Sequence, residues 1–120
     1  MDTNVLLDYL AARAPFDRAA QTLIQRAEAG KIELYVSVLS ICNIAYMLRK
    51  LSPDTDIGQA LTELTSLAIL TPIDGQVLSS ALQSPFVDFE DAVQHFSAVH
   101  FGGITHLLTR NVADFLHSQI

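Results

Sequence analysis

Apolar positions recur along the chain with two different spacings, and these spacings predict helices and short strands in alternation. Helical spacing predicts helices over residues 5–12, 16–29, 39–50, 54–67, 76–83 and 88–99. Short runs rich in β-branched residues predict strands over residues 32–36, 68–73 and 104–109. Strands that alternate with helices are typical of an α/β sandwich with a mostly parallel sheet.

Turn-forming residues separate these elements at short intervals, and the sequence shows no repeat, low-complexity segment or linker. Its 120 residues fit one compact domain, so we expect a single domain over residues 1–120. The apolar sides of the first and third helices predict part of the core, at Leu6, Leu7, Leu10, Ile41, Ile44, Ala45 and Leu48. A chain of this length buries enough apolar surface to fold without disulfides or a structural metal.

The charge of the chain is acidic and unevenly distributed. Thirteen acidic residues stand against seven basic ones, which gives a net charge of −6. Residues 1–50 contain six bases and five acids, whereas residues 51–120 contain eight acids and Arg110 as the single base. A protein that binds nucleic acid through its own positive field shows the opposite balance. Any role on nucleic acid therefore needs positive charge from bound cations or from a partner chain.

Neither a membrane span nor a secretion signal is expected. The longest strongly apolar stretch, residues 34–48, falls short of the ~20 residues that a bilayer requires and contains serines and an asparagine. Asp2 follows Met1 at the place where a signal peptide carries basic residues. The single cysteine, Cys42, is compatible with a reducing compartment, so we expect a cytoplasmic protein.

Three aspartates lie where predicted strands lead into helices, and in a parallel sheet such junctions form the edge at which ligands bind. Asp2 precedes the first helix, Asp91 lies in the first turn of the last helix, and Asp114 follows the last strand. If the junctions converge, the three carboxylates repel one another, and a hard divalent cation relieves the repulsion. Such a cation polarises a phosphodiester and lowers the pKa of a bound water, which is the chemistry of metal-assisted hydrolysis.

Each of these acids also has a purely structural explanation. Asp88 and Asp91 have the spacing of a helix cap with an acid in the first turn. Asp2 can cap the first helix, and Asp114 can be a surface turn residue. No single acid decides the question, and the prediction of a site depends on the three occurring together.

Three motifs in a fixed order resemble a PIN domain, and in particular the VapC-like toxins of bacterial toxin–antitoxin pairs. They are Asp2-Thr3-Asn4-Val5, Asp88-Phe89-Glu90-Asp91-Ala92 followed by Ala98, and Thr109-Arg110-Asn111 followed by Asp114-Phe115. The resemblance covers nearly the whole chain. It implies a Rossmann-like three-layer α/β/α sandwich with a sheet of four or five strands, Mg²⁺ or Mn²⁺ in an acidic pocket, and cleavage of RNA. It also implies a homodimer and an antitoxin protein that blocks the pocket.

The resemblance also assigns roles to individual residues. Carried over by motif, the catalytic and metal-binding residues are Asp2, Asp91 and Asp114. The residues expected to support them are Asn4, Asn43, Asp88, Thr109 and Asn111. Among the supporting residues, Asn4 and Thr109 are implied to orient the acids.

Two features depart from the pattern of the family. Relatives usually carry a glutamate in a Ser-x-x-Glu-x-x-Tyr pattern, where this chain has Ser40, Asn43 and Tyr46. An amide is neutral, so the pocket loses one of four charges while keeping an oxygen that can bind water or a cation. The first strand of the family precedes the Asp-Thr-Asn motif, whereas only Met1 precedes Asp2, so we expect either that the natural chain is longer or that this strand is truncated.

The sequence therefore predicts a metal-dependent endoribonuclease that is the toxin of a toxin–antitoxin pair. An alternative stays open, in which the fold is PIN-like, catalysis is attenuated or lost because of Asn43, and the domain binds a protein or RNA. A third hypothesis, phosphotransfer with Asp2 as the nucleophile, is disfavoured. Asn4 stands where such hydrolases need a second acid, and both lysines come early in the chain.

Overall fold

A computed structural model describes residues 1–109, 112–116 and 118. In these ranges the helices are α1 (Thr3–Leu10), α2 (Asp17–Glu28), α3 (Val38–Leu51), α4 (Ile57–Leu67), α5 (Gly75–Leu82) and α6 (Phe89–Phe101), with a 3₁₀ helix at Val112–Phe115. The strands are β1 (Tyr35–Ser37) and β2 (Ile69–Thr71). Every helix that the sequence predicts is present, with ends that differ by a few residues. Across the described part of the chain, no helix combines the length and the apolar character needed to cross a bilayer.

Side-chain caps determine where most of these helices begin. The hydroxyl of Ser37 accepts the backbone N–H of Ser40 at 3.2 Å at the start of α3. The carboxylates of Asp56 and Asp74 do the same for α4 and α5, at 3.1 and 3.0 Å. Each cap satisfies one of the backbone donors that a helix leaves unpaired in its first turn. Helix α6 is followed by Gly102, whose φ of +83° is a conformation that glycine adopts without steric cost.

The two strands form a parallel pair, in register from Tyr35 opposite Ile69 to Ser37 opposite Thr71. Helices α3 and α4 lie between them in sequence, as the crossover connection of a parallel pair requires. The fold is therefore α/β with a parallel sheet, as the alternation of elements predicts.

The third predicted strand, over residues 104–109, is not a regular strand in the structure. Among the described residues, the backbone of this segment forms one hydrogen bond to another part of the chain, in which the Asp2 N–H donates to the Leu108 carbonyl at 2.8 Å. One such bond does not make a ladder, so this prediction was wrong for the residues described. In the same residues the sheet has two strands, where the family resemblance implied four or five.

Helices pack against both strands of the sheet. Helix α3 packs on β1, α4 packs on β2, and α6 packs on both strands. Helix α1 contacts both α2 and α3, and α5 packs on α6. The main core cluster contains Leu6, Leu7, Ile24, Leu34, Val36, Ile44, Leu48, Leu64 and Ala68. A smaller cluster, beneath α5 and α6, contains Val77, Ala81, Ala92 and Val93. Of the predicted inward positions, Leu6, Leu7, Ile44 and Leu48 are fully buried, and the other three are partly buried.

Candidate active site

Asp2 lies directly before α1 and is only 7% exposed. Its carboxylate Oδ2 accepts a hydrogen bond from the Thr109 hydroxyl at 2.9 Å. Although Asp2 occupies the N-cap position of α1 with an extended backbone, its side chain makes no capping hydrogen bond. Helix capping therefore does not account for this residue, because its carboxylate is turned towards Thr109.

Asp88 and Asp91 lie at the start of α6 and have different surroundings. The carboxylate of Asp88 accepts the backbone N–H of Asp91 at 3.0 Å, so Asp88 caps the helix, as its structural explanation predicts. The side chain of Asp91 is hydrogen-bonded to the side chain of Asp114, which lies in the exposed 3₁₀ helix. Asp114 is thus a surface turn residue that also reaches an acid on a distant helix.

Three neighbouring carboxyl groups influence the carboxyl group of Asp91. The pKa of Asp91 is raised from 3.8 to about 7, first by burial and then by the charges of Asp88, Asp2 and Asp114. The hydrogen bond to Asp114 raises it further, because two carboxyl groups can share such a bond only when one carries a proton. The structure therefore places Asp2, Asp88 and Asp114 within electrostatic range of Asp91.

A buried series of hydrogen bonds, which the sequence analysis did not identify, connects the helices that carry these acids. The amide of Gln94 donates to the Thr3 hydroxyl at 3.2 Å, and the Thr3 hydroxyl donates to that of Ser40 at 3.0 Å. All three residues are buried. Since Thr3 follows Asp2 and Gln94 lies one helical turn after Asp91, the network holds the two acids in a defined relative position. The i, i+3 spacing from Asp91 to Gln94 is the sequence signal that could have suggested it.

Two asparagines that the resemblance names as supporting residues, Asn4 and Asn43, form side-chain hydrogen bonds with residues other than the three acids. The Asn43 amide donates to the carboxylate of Glu90 at 3.2 Å. Asn4 is exposed, and its side-chain oxygen accepts the Arg13 guanidinium at 3.5 Å. Within the hydrogen bonds that the structure describes, neither asparagine contacts any of the three acids. The remaining supporting residue, Asn111, lies outside the described residues.

The groups gathered around Asp91 are carboxylates, the ligand type that Mg²⁺ and Mn²⁺ prefer. After burial, the charges of the neighbouring carboxylates are the next causes of the raised pKa of Asp91, and a bound cation would offset that repulsion. In their chemistry these residues therefore fit a hard divalent cation. In the part of the chain that the structure describes, however, no three Asp, Glu, His or Cys side chains form a group that could hold a metal ion as they stand.

Comparison with known proteins adds a finding that is independent of this geometry. A family model described as "PIN domain" matches residues 1–113. The match includes Asp2 and Asp91 and ends one residue before Asp114. Neither the curated proteins nor the solved structures include a significant match.

Proposed function

Because the chain belongs to the PIN-domain family, whose members are in general nucleases, we propose that it is a divalent-metal-dependent endoribonuclease. The observation that supports this most directly is the environment of Asp91. A carboxyl group whose pKa is raised to about 7 by burial and by neighbouring carboxylates is a costly arrangement in a purely structural role. The same arrangement is useful for binding a cation at neutral pH.

In this proposal Asp2, Asp91 and Asp114 would hold Mg²⁺ or Mn²⁺. When bound, such an ion would supply a water molecule of lowered pKa and positive charge for the scissile phosphate. The other groups of the chain act by orienting these acids and by favouring their ionised form. Thr109 holds the carboxylate of Asp2 through its hydroxyl, and the positive N-terminal end of α6 favours the ionised form of Asp91 once the neighbouring charges are compensated.

RNA cleavage by the purified full chain tests the proposal. We expect a 5′-labelled single-stranded RNA to be cleaved with Mn²⁺ or Mg²⁺ and to stay intact with EDTA. Asp91→Asn should lower the rate by at least about 100-fold, the upper end of what loss of an indirect metal partner costs. The matched control is Asp56→Asn, which removes the same charge from an exposed cap at α4 and keeps the cap, since asparagine caps helices well. Equal activity in the wild type and Asp91→Asn would exclude these acids as the catalytic centre.

The finer role, the toxin of a toxin–antitoxin pair that acts as a cytoplasmic homodimer, also belongs to this proposal. It is supported by the likeness of the three motifs to VapC-like toxins. Val87 and Phe89, on either side of Asp88, are strongly exposed apolar side chains of the kind that protein partners cover. Induced expression of the wild type should arrest bacterial growth, and Asp91→Asn should relieve the arrest. Light scattering on the purified protein should give the mass of a dimer.

One observation favours the second candidate function, a PIN-like domain that binds protein or RNA with attenuated catalysis. Asn43 is neutral where relatives usually carry a glutamate, and it is engaged with Glu90 rather than with the three acids. If this alternative is correct, the wild type binds RNA but cleaves it no faster than Asp91→Asn does. Cleavage and binding assays on the same RNA therefore separate the two candidates.

A further inference from the structure

Two side-chain contacts connect α6 to residues 113–116 and 118, which we name the Asp114 segment. The side chain of Asp114 is hydrogen-bonded to that of Asp91, and the Ser118 hydroxyl lies 3.2 Å from Nδ1 of His95. Asp91 and His95 are four residues apart in α6, so they lie on the same face of the helix. Their two partners are also four residues apart. The Asp114 segment therefore lies along one face of α6 and runs in the same direction as the helix.

His95 is fully buried, with 0% of its surface exposed, and it lies among aromatic rings. The centroid of its ring is 5.0 Å from that of Phe86 and 4.9 Å from that of Phe96. Burial lowers the pKa of His95 from its ordinary value of 6.5, so the ring is largely neutral at pH 7. A neutral imidazole can pack on phenyl rings and still form a hydrogen bond through a ring nitrogen.

The ring of Phe86 connects His95 to the residue that follows Asp114. Its centroid is 6.0 Å from that of Phe115, and the two rings meet edge to face at 74°. Phe115 is only 7% exposed, whereas Asp114 is exposed, so the phenyl ring is the part of the Asp114 segment that enters the protein. The Ser118 N–H donates to the Phe115 carbonyl at 3.0 Å, which ties these two contact points together. His95 thus contacts the segment directly at one point and through Phe86 at another.

The contact between the two carboxyl groups needs support from elsewhere in the molecule. Two carboxylates repel each other once both are ionised, so their own interaction does not hold the Asp114 segment against α6. We propose that His95 is a positioning residue that keeps the carboxylate of Asp114 beside that of Asp91. It holds the Asp114 segment on α6 directly, at Ser118, and through the ring of Phe86. The consequence for a bound cation rests on the proposed function, whereas the placement of the segment does not.

The same helix offers a matched control. His100 also lies in α6, its Nε2 is 3.2 Å from the Ser80 hydroxyl, and its ring centroid is 6.2 Å from that of Phe96. It therefore contacts a serine and a phenyl ring, as His95 does, but its serine belongs to α5. A general effect of losing a histidine from α6 should appear in both His95→Leu and His100→Leu. An effect on the Asp114 segment should appear only in His95→Leu.

The test measures the influence of Asp114 on Asp91 in EDTA, without metal or RNA. The ¹³C resonance of the Asp91 carboxyl carbon is recorded at one pH, with and without Asp114→Asn. In the wild type and in His100→Leu, Asp114→Asn should shift this resonance, because it removes a charge and changes the hydrogen-bond partner. In His95→Leu most of this shift should be lost, and Ser118→Ala should reduce it. Circular dichroism verifies folding, and Ser118→Ala, which leaves the core intact, decides the question if His95→Leu does not fold.

Calorimetry with Mn²⁺ adds a second measurement. His95→Leu should lower the Mn²⁺ affinity by about 10–100-fold, as loss of a residue that orients a ligand does, and His100→Leu should leave it unchanged. A purely structural role for His95 predicts lower stability with an undiminished shift of the Asp91 resonance. That result in the folded variants would overturn the proposal, as would the absence of a shift in the wild type. Loss of the shift in His95→Leu, in a protein whose wild type binds no Mn²⁺, would support the positioning role and count against the metal site.

Discussion

The stability of the metal-free protein should decrease as the pH rises towards neutrality, and Asp91→Asn should remove that decrease. The folded-state pKa of Asp91 is about 7, against an ordinary value of 3.8. Below pH 3.8 the group is protonated in both the folded and unfolded states, so it contributes no penalty. Between pH 3.8 and about 7, the Asp91 carboxyl group ionises more readily in the unfolded chain than in the folded protein. The free energy of unfolding therefore decreases progressively until the pH exceeds about 7.

The raised pKa sets the size of the effect. At 1.36 kcal/mol for each tenfold change in proton affinity, an increase from 3.8 to about 7 corresponds to roughly 4 kcal/mol. Asp91 is partly exposed, and solvent screens its interaction with the exposed carboxylates of Asp88 and Asp114. We therefore expect about half of that amount, about 2 kcal/mol, across the whole range. Asparagine cannot ionise, so the variant should be more stable than the wild type at pH 7.5 by about this difference.

Urea unfolding in EDTA, followed by circular dichroism at several pH values between 4 and 8, measures the effect. The Met1 amine, whose pKa burial lowers to about 6, also titrates in this range, and burial lowers the pKa of His95 from its ordinary value. Both groups are present in the two proteins, so the difference between the curves isolates Asp91. Curves that stay parallel from pH 4 to pH 8 would refute the argument that the carboxylates converge. Adding Mn²⁺ at pH 7.5 should stabilise the wild type and leave Asp91→Asn nearly unchanged, because an ion that binds only the folded state stabilises it.

Two further substitutions test the surroundings of the acids. Thr109→Val removes the hydroxyl that donates to Asp2, and should lower the Mn²⁺ affinity measured by calorimetry by about 10–100-fold, as loss of an indirect partner does. Thr62→Val, which removes an exposed hydroxyl from α4, is its control, and an equal effect of the two would show that Thr109 does not act through the site. Asn43→Glu alone places a carboxylate against Glu90, so we expect no gain in Mn²⁺ affinity from it. The double variant with Glu90→Gln removes this repulsion, and a large gain in RNA cleavage there would favour the attenuated alternative over an active wild type.

The order of the helices and the cap at Asp88 followed from local information. Short-range spacing determines which face of a helix is apolar, and Leu6, Ile44 and Leu48 were found as core residues for this reason. The segment over 104–109 was assigned wrongly because a strand exists only through a neighbour to which it is bonded. A β-branched composition predicts an extended backbone but not the partner, and among the described residues the backbone partner of this segment is Asp2, which bonds to Leu108.

The sequence by itself determined the α/β class and the family and predicted the three acids, since these depend on periodicity and on motifs that stand in a fixed order along the chain. Only the tertiary structure decided which of the neighbouring polar residues support the acids. Thr109 donates to Asp2, whereas Asn43 pairs with Glu90 and Asn4 with Arg13. The partners of Gln94 in the buried network, Thr3 and Ser40, were likewise decided by the tertiary structure. Hydrogen bonds and cavities join residues that are far apart along the chain, and no local pattern records those distances.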